Sequence, residues 1–211
     1  MTDIDPGRFD MTTVRAVLFD MDGTLVDSDG AVLRSWLSWA AEYGVDGQEA
    51  YEMAHGSPSA TTVRKLLPHL DEATQVVASA RQLELQYDDL SDVSATPGAA
   101  ELLVRLTRRG IPWAVVTSAD TRLAKARLSA AGIVAPVLVT TDDIAAGKPD
   151  PEGYLRAAEL LGVDPADCLV VEDAEVGLAA GRAAGARTAA LRGLDGDLRL
   201  ETLADLAALL G

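Results

Sequence analysis

Positive charge is scarce in this chain. Eighteen lysines and arginines face 33 aspartates and glutamates, which leaves a formal net charge of −15 over 211 residues. Nucleic acid and anionic membrane are therefore poor candidates for the main partner. Cysteine is nearly absent too. Cys168 stands alone, so no intrachain disulfide can form, and a reducing cytoplasm is the expected setting. No apolar run approaches the roughly 20 residues that a membrane helix needs. The opening stretch, MTDIDPGRFDMTT, has no apolar segment behind basic residues, so no secretory signal is expected. Internal repeats and low-complexity tracts are missing as well.

What remains is the composition of a folded globular protein, with 48% of residues apolar. Met11 could serve as an alternative start, and the polar residues before it, with Pro6 and Gly7, read as a loose arm. Val14 to Phe19 reads as a buried strand, followed by a polar turn over Asp20 to Thr24. From Ser28 the period becomes helical, with Val32, Leu33, Trp36, Leu37 and Ala40 on one face and Gly44 as the C-cap. Further helices are expected over 48–54, 59–67 and 71–90, and no strand between about 29 and 95. Thr96-Pro97 looks like an N-cap with proline at the first helical position.

Beyond that point helices and strands alternate. Helices over 97–109, 121–131, 151–161 and 175–184 precede strands over 111–117, 136–140, 168–172 and 187–191, and a last helix spans 198–210. Such alternation implies a parallel sheet covered on both faces. The fold class is thus α/β, a parallel-sheet core over residues 1–28 and 96–211 with an all-helical insert over 29–95.

Ligands of an open α/β sheet bind beyond the carboxyl ends of its strands. The polar residues of this chain gather there: Asp20-Met21-Asp22-Gly23-Thr24 after the first strand, Thr117-Ser118 after the next, Lys148-Pro149 beyond the third, and Glu172-Asp173 at the fourth. Each has a plain alternative explanation: a solubilising turn, a helix cap, a solvated loop lysine, an acid-stabilised helix N-terminus. Their conjunction at successive strand ends does not. A calcium loop is ruled out, because the sixth and twelfth positions counted from Asp20 are Leu25 and Ala31 where glycine and glutamate are needed. An anionic site in so acidic a chain must carry local positive charge, and only three lysines, at 65, 125 and 148, stand against fifteen arginines.

DMDGT, the Thr117-Ser118 strand end, Gly147-Lys148-Pro149 and VVEDAEVGLAAGRAAG over 170–185 together resemble the four motifs of the haloacid dehalogenase superfamily. The insert resembles the α-helical cap of its phosphoglucomutase-like branch on a Rossmann-like core. HGSPSATTVRKL and IPWAVVTS are most similar to bacterial sugar and polyol phosphatases. Ala174-Glu175 departs from the serine and neutral residue many relatives carry.

The resemblance implies a phosphoric monoester hydrolase acting on a small phosphorylated metabolite, with monomer and dimer both left open. It implies Mg²⁺ held by Asp20, Asp173 and the backbone carbonyl of Asp22. Asp20 would be the nucleophile and Asp22 the proton-transfer group, with Ser118 and Lys148 on the phosphate. Glu172 and Thr24 would support the metal, and His55, Gly56, Thr62 and Arg64 would meet substrate from the cap. A hexose-phosphate mutase, a phosphoglycolate phosphatase and a non-catalytic phosphate-binding protein are the alternatives. A dehalogenase is disfavoured, because Asp22 is the group that phosphoryl chemistry needs.

Overall fold

The computed structural model describes residues 9–54, 57–87 and 90–210. Strand β1 (Ala16–Phe19) is followed by the short β2 (Val26–Asp27) and then by four helices, α1 (Asp29–Tyr43), α2 (Gly47–Ala54), α3 (Ser59–Leu66) and α4 (Glu72–Tyr87). The chain returns through β3 (Ser94–Ala95). It then runs α5 (Ala99–Arg109), β4 (Trp113–Val116), α6 (Thr121–Ala130), β5 (Leu138–Val139), α7 (Glu152–Leu161) and β6 (Cys168–Glu172). Helix α8 (Glu175–Ala183), β7 (Arg187–Ala190), β8 (Leu198–Arg199) and α9 (Leu203–Leu209) complete it.

Six strands form one sheet in the order β5-β4-β1-β6-β7-β8, and every pairing in it is parallel. β1 is buried along its whole length because it is covered on both faces. Alternate side chains serve the two faces: Val17 and Phe19 join α5, α6 and α9, while Ala16 and Leu18 join α7 and α8. On the second face the approach is close, since a Cβ on Gly181 would lie 2.9 Å from Val170.

The four helices between β2 and β3 build a separate apolar cluster around Trp36, Trp39, Val63 and Leu67. Trp39 is fully buried, packs edge-on against Trp36 at 5.2 Å, and donates its indole N–H to the Ala78 carbonyl at 2.8 Å. Truncating such a residue to alanine typically costs about 3–5 kcal/mol.

Several expectations need correction. The buried stripe of α1 is Ala31, Ser35, Trp36, Trp39 and Ala40, and Leu37 lies outside it at 45% exposure. A two-residue strand, β3, sits at the end of the insert and pairs antiparallel with β2. Residues 198–199 extend the sheet as β8 instead of opening the last helix. Helix α5 begins after Gly98, not at Thr96. Gly98 has φ +86°, and a Cβ there would meet the backbone of α9 at 2.1 Å, so close helix approach selects glycine. The Thr96 hydroxyl instead donates to the Thr24 carbonyl at 2.6 Å. The described end of the N-terminal arm is not loose. Phe9 and Met11 pack against the larger core, and the Arg187 guanidinium lies 5.1 Å over the Phe9 ring.

Candidate active site

In chain order the sheet grows from β1 to β4 and β5 on one side, then to β6, β7 and β8 on the other. The carboxyl ends of β1, β4 and β6 therefore border the point where the strand order reverses, where α/β sheets bind ligands. Asp20 leaves β1 there, its amide donating to the Val171 carbonyl at 3.0 Å. Gly23 turns the chain at φ +84°, and a Cβ on it would lie 2.0 Å from Asp173 Oδ2. Glycine thus allows the loops after β1 and β6 to touch.

Lys148 reaches this point from the loop before α7. Its ammonium is almost fully buried and pairs with Asp20 Oδ1, with Glu172 Oε1 at 2.7 Å and with the Val116 carbonyl at 3.1 Å. Glu172 is held on every side. Its Oε1 also accepts from the Tyr154 hydroxyl at 2.6 Å, and Oε2 accepts from the amides of Asp173 and Ala174 at 3.2 and 3.4 Å. Space for that carboxylate exists because residue 177 is glycine, where a Cβ would fall 1.7 Å from Oε1. Asp173 pairs with Arg192 Nε at 2.8 Å, and the Thr24 hydroxyl donates to its Oδ1 at 3.4 Å.

Burial dominates the electrostatics. It pushes the Asp20 carboxyl well above the usual range; Lys148 opposes this, while Glu172 and Asp173 add to it. Asp173 is pushed up to about 7 by burial and then by Glu172, against the pull of Arg192. Burial alone would lower the Lys148 ammonium, yet Asp20 and Glu172 outweigh it and hold it above its ordinary value. Burial and Glu172 likewise raise the Tyr154 phenol.

One oxygen each from Asp20, Glu172 and Asp173 lie within 4.8 Å of one another. A cluster of hard carboxylate oxygens against a single buried ammonium fits a small divalent cation. Glu172 is the most fully engaged of the three, which leaves Asp20 and Asp173 better placed as ligands. The Asp22 side chain points elsewhere: Oδ1 accepts from Ser28 at 2.6 Å and Oδ2 from Arg127 at 2.8 Å. Its expected metal contact was the backbone carbonyl, so the two placements are compatible.

A cavity of about 360 Å³ lies between these residues and the helical insert. Asp20, Asp22, Ser118 and Asp173 line it from the sheet, and Trp36, Ser57, Ser59, Leu83 and Gln86 from the insert. The Ala119 amide donates to Thr117 Oγ1 at 3.1 Å, so it is already engaged. Thr62 and Arg64 are not brought to the cavity. Thr62 is buried with its hydroxyl on the Met53 carbonyl at 3.3 Å, and Arg64 is exposed. His55 and Gly56 lie outside the described residues. Sequence reasoning missed Tyr154, Arg192, Gln86 and Arg127. Only Arg127 left a signal, as a charge on the stripe of α6 otherwise formed by Leu123, Ala124 and Leu128.

Comparisons with known proteins place the chain in a family. Residues 14–185 match the family model for the haloacid dehalogenase-like hydrolases. Hexitol phosphatase A of Escherichia coli is 41% identical over 178 residues, covering 84% of this chain and 82% of that protein. 2-Deoxyglucose-6-phosphate phosphatase 1 of Saccharomyces cerevisiae is 36% identical, covering 81% and 77%. Among solved structures, a hydrolase from Pseudomonas syringae superposes with a TM-score of 0.84 at 27% identity, over 93% of this chain and 97% of that one. With its motifs at the strand ends and a match over most of its length, the chain belongs to the haloacid dehalogenase-like hydrolase family.

Proposed function

We propose that this chain hydrolyses a small sugar or polyol phosphate, with the phosphoryl group carried transiently on Asp20. The observation that carries the reading is the buried Lys148 ammonium, shared by Asp20 and Glu172, directly behind the point where Asp20 and Asp173 line a roofed cavity. A structural lysine would not need three carboxylates crowded around it. A phosphate ester dianion, in contrast, needs concentrated positive charge before any anion can attack it.

Asp20 attacks phosphorus in line and becomes an aspartyl phosphate. Asp22 gives a proton to the departing alkoxide and takes one from the water that cleaves the acyl phosphate. Ser118 and Lys148 hold phosphate oxygens. Asp20, Asp173 and the Asp22 carbonyl would hold Mg²⁺, which when bound neutralises phosphate charge. Residues 1–28 and 96–211 act as the core and 29–95 as the cap, hinged at the crossings near Ser28 and Ser94.

The relatives named above are phosphatases of a hexitol phosphate and of a deoxyhexose phosphate. The insert side of the cavity supports the same class. It offers neutral groups, Ser57, Ser59 and Gln86, while Arg64 stays outside. For a second carboxylate, as in phosphoglycolate, the cation in the cavity wall is Arg127, which already pairs with Asp22.

The test is phosphate release from hexitol, hexose and carboxylic-acid phosphates on one preparation, with Mg²⁺ and with chelator, alongside Asp20→Asn. The expected result is metal-dependent release, best on the polyhydroxy esters and absent in the variant. Tenfold preference for phosphoglycolate, about 1.4 kcal/mol in the transition state, would overturn the substrate class. Activity in the variant would overturn the mechanism.

A further inference from the structure

Arg127 belongs to α6 and is 2% exposed, on the buried side of that helix and in the wall of the cavity. A guanidinium in such a place is costly unless it is paired. Its partners come from both halves of the molecule. Nη1 donates to Asp22 Oδ2 at 2.8 Å in the loop after β1, and Nη2 donates to Gln86 Oε1 at 2.9 Å on α4 of the insert. Nε is buried without an acceptor among the described residues. Packing alone does not account for an arginine that leaves one donor unmet, since an apolar side chain would fill the same space at lower cost.

The two oxygens of Asp22 face partners of different chemistry. Oδ2 faces Arg127, whose nitrogens only donate, so a proton on that oxygen would abut a donor. Oδ1 faces the buried Ser28 hydroxyl at 2.6 Å, which can donate to a carboxylate or turn and accept from a carboxylic acid.

We propose that Arg127 is the positioning residue for Asp22: it clamps Oδ2 in the unprotonated state and reserves Oδ1 as the oxygen that carries the proton, with Gln86 fastening the clamp to the insert. The proposal rests on the reading of Asp22 as the proton-transfer group. In the first half-reaction the Asp22 Oδ1–H bond breaks as the ester P–O bond breaks. The ester electron pair stays on the leaving oxygen, which takes the proton and departs as an alcohol. In the second half-reaction water forms a new P–O bond, the bond from phosphorus to Asp20 breaks, and the water proton returns to Asp22 Oδ1.

Leaving groups test this. A phenol of low pKa departs with little help, whereas an alcohol needs its proton delivered. kcat/KM would be measured for a series of substituted phenyl phosphates of similar size and for a hexitol phosphate. In the wild type the dependence on leaving-group pKa should be shallow. In Arg127→Ala it should steepen, with the poorest leaving groups losing about a hundredfold more than the best. Arg127→Lys, which restores one donor, should recover part of that difference. Gln86→Ala should steepen the series less than Arg127→Ala.

Equal losses across the phenyl series would mean a structural role and overturn the proposal. A raised KM confined to the hexitol phosphate would mean a direct substrate contact and overturn it equally. Should Arg127→Ala fail to fold, Arg127→Lys and Gln86→Ala still decide, because an unchanged slope in both refutes the clamp. Asp22→Asn separates the two readings. A steep series there with a shallow one in the Arg127 variants defeats only the clamp, whereas a shallow series in Asp22→Asn defeats the assignment of Asp22 itself.

Discussion

Replacing Lys148 by methionine removes one charge and little volume. In the native protein its ammonium sits between Asp20 and Glu172, with the Val116 carbonyl as a third acceptor. Removing it leaves three carboxylates whose oxygens lie within 4.8 Å of one another and no lysine among them. Breaking a buried ion pair by deleting one partner costs about 3–5 kcal/mol. For a chain of this size each kcal/mol lowers Tm by about 2–4 °C, so the metal-free variant should melt about 6–20 °C below wild type at pH 7.5.

The difference should depend on pH with a definite sign. Burial raises Asp20 and brings Asp173 up to about 7, above the 3.8 of the unfolded chain. The folded state therefore binds more protons between about pH 4 and 7, and stability from this cluster falls as pH rises through that window. Without Lys148 the carboxylates repel one another more, so acidification should help the variant more than the wild type. The measurement is thermal unfolding in chelator at pH 5.5 and 7.5, repeated at pH 7.5 with Mg²⁺. The gap between the two proteins should narrow at pH 5.5 and narrow again with the metal. A variant within 2 °C of wild type at pH 7.5 in chelator would show that the lysine is not the compensating charge.

Three further perturbations test neighbouring parts. Gly177→Ala places a Cβ 1.7 Å from Glu172 Oε1, so it should cost about 1–3 kcal/mol in denaturant unfolding and impair phosphate release together; a neutral substitution would contradict the packing of Glu172. Arg192 Nε pairs with Asp173, where it would compete with a bound metal ion, and Arg192 is 40% exposed. Arg192→Gln should therefore tighten Mg²⁺ binding by roughly two- to fivefold in calorimetry without substrate, and weaker binding would mean that Arg192 orients Asp173 for the ion. Deleting residues 1–10 removes Phe9 from the core and from its contact with Arg187. A loss of about 1–2 kcal/mol is expected, and an unchanged melting temperature would return the whole segment to a loose arm.

How far the sequence was legible followed the range of the interactions. β6 could be read to the residue, because CLVVE is buried on both faces and bounded by polar turns. The acidic and lysine positions were legible because the carboxyl ends of parallel strands are where such residues converge, whatever the loops do. β8 was not, since two residues carry no period and Leu198 and Arg199 owe their strand to β7. Nor was the start of α5, where the local signal of Thr96-Pro97 yields to the approach of α9 against Gly98. The insert shows the limit most clearly. Its helices follow from apolar spacing, but the side of α3 that meets the cavity does not. Thr62 therefore turned to the Met53 carbonyl, and Ser59 joined the cavity wall. Arg127 combines both cases. A charge on an apolar stripe announces a buried partner, yet its partners stand 105 and 41 residues away in sequence, in the β1 loop and on α4. Local pattern can mark such a residue as anomalous. Only tertiary contact shows that the anomaly joins Asp22 to the insert above it.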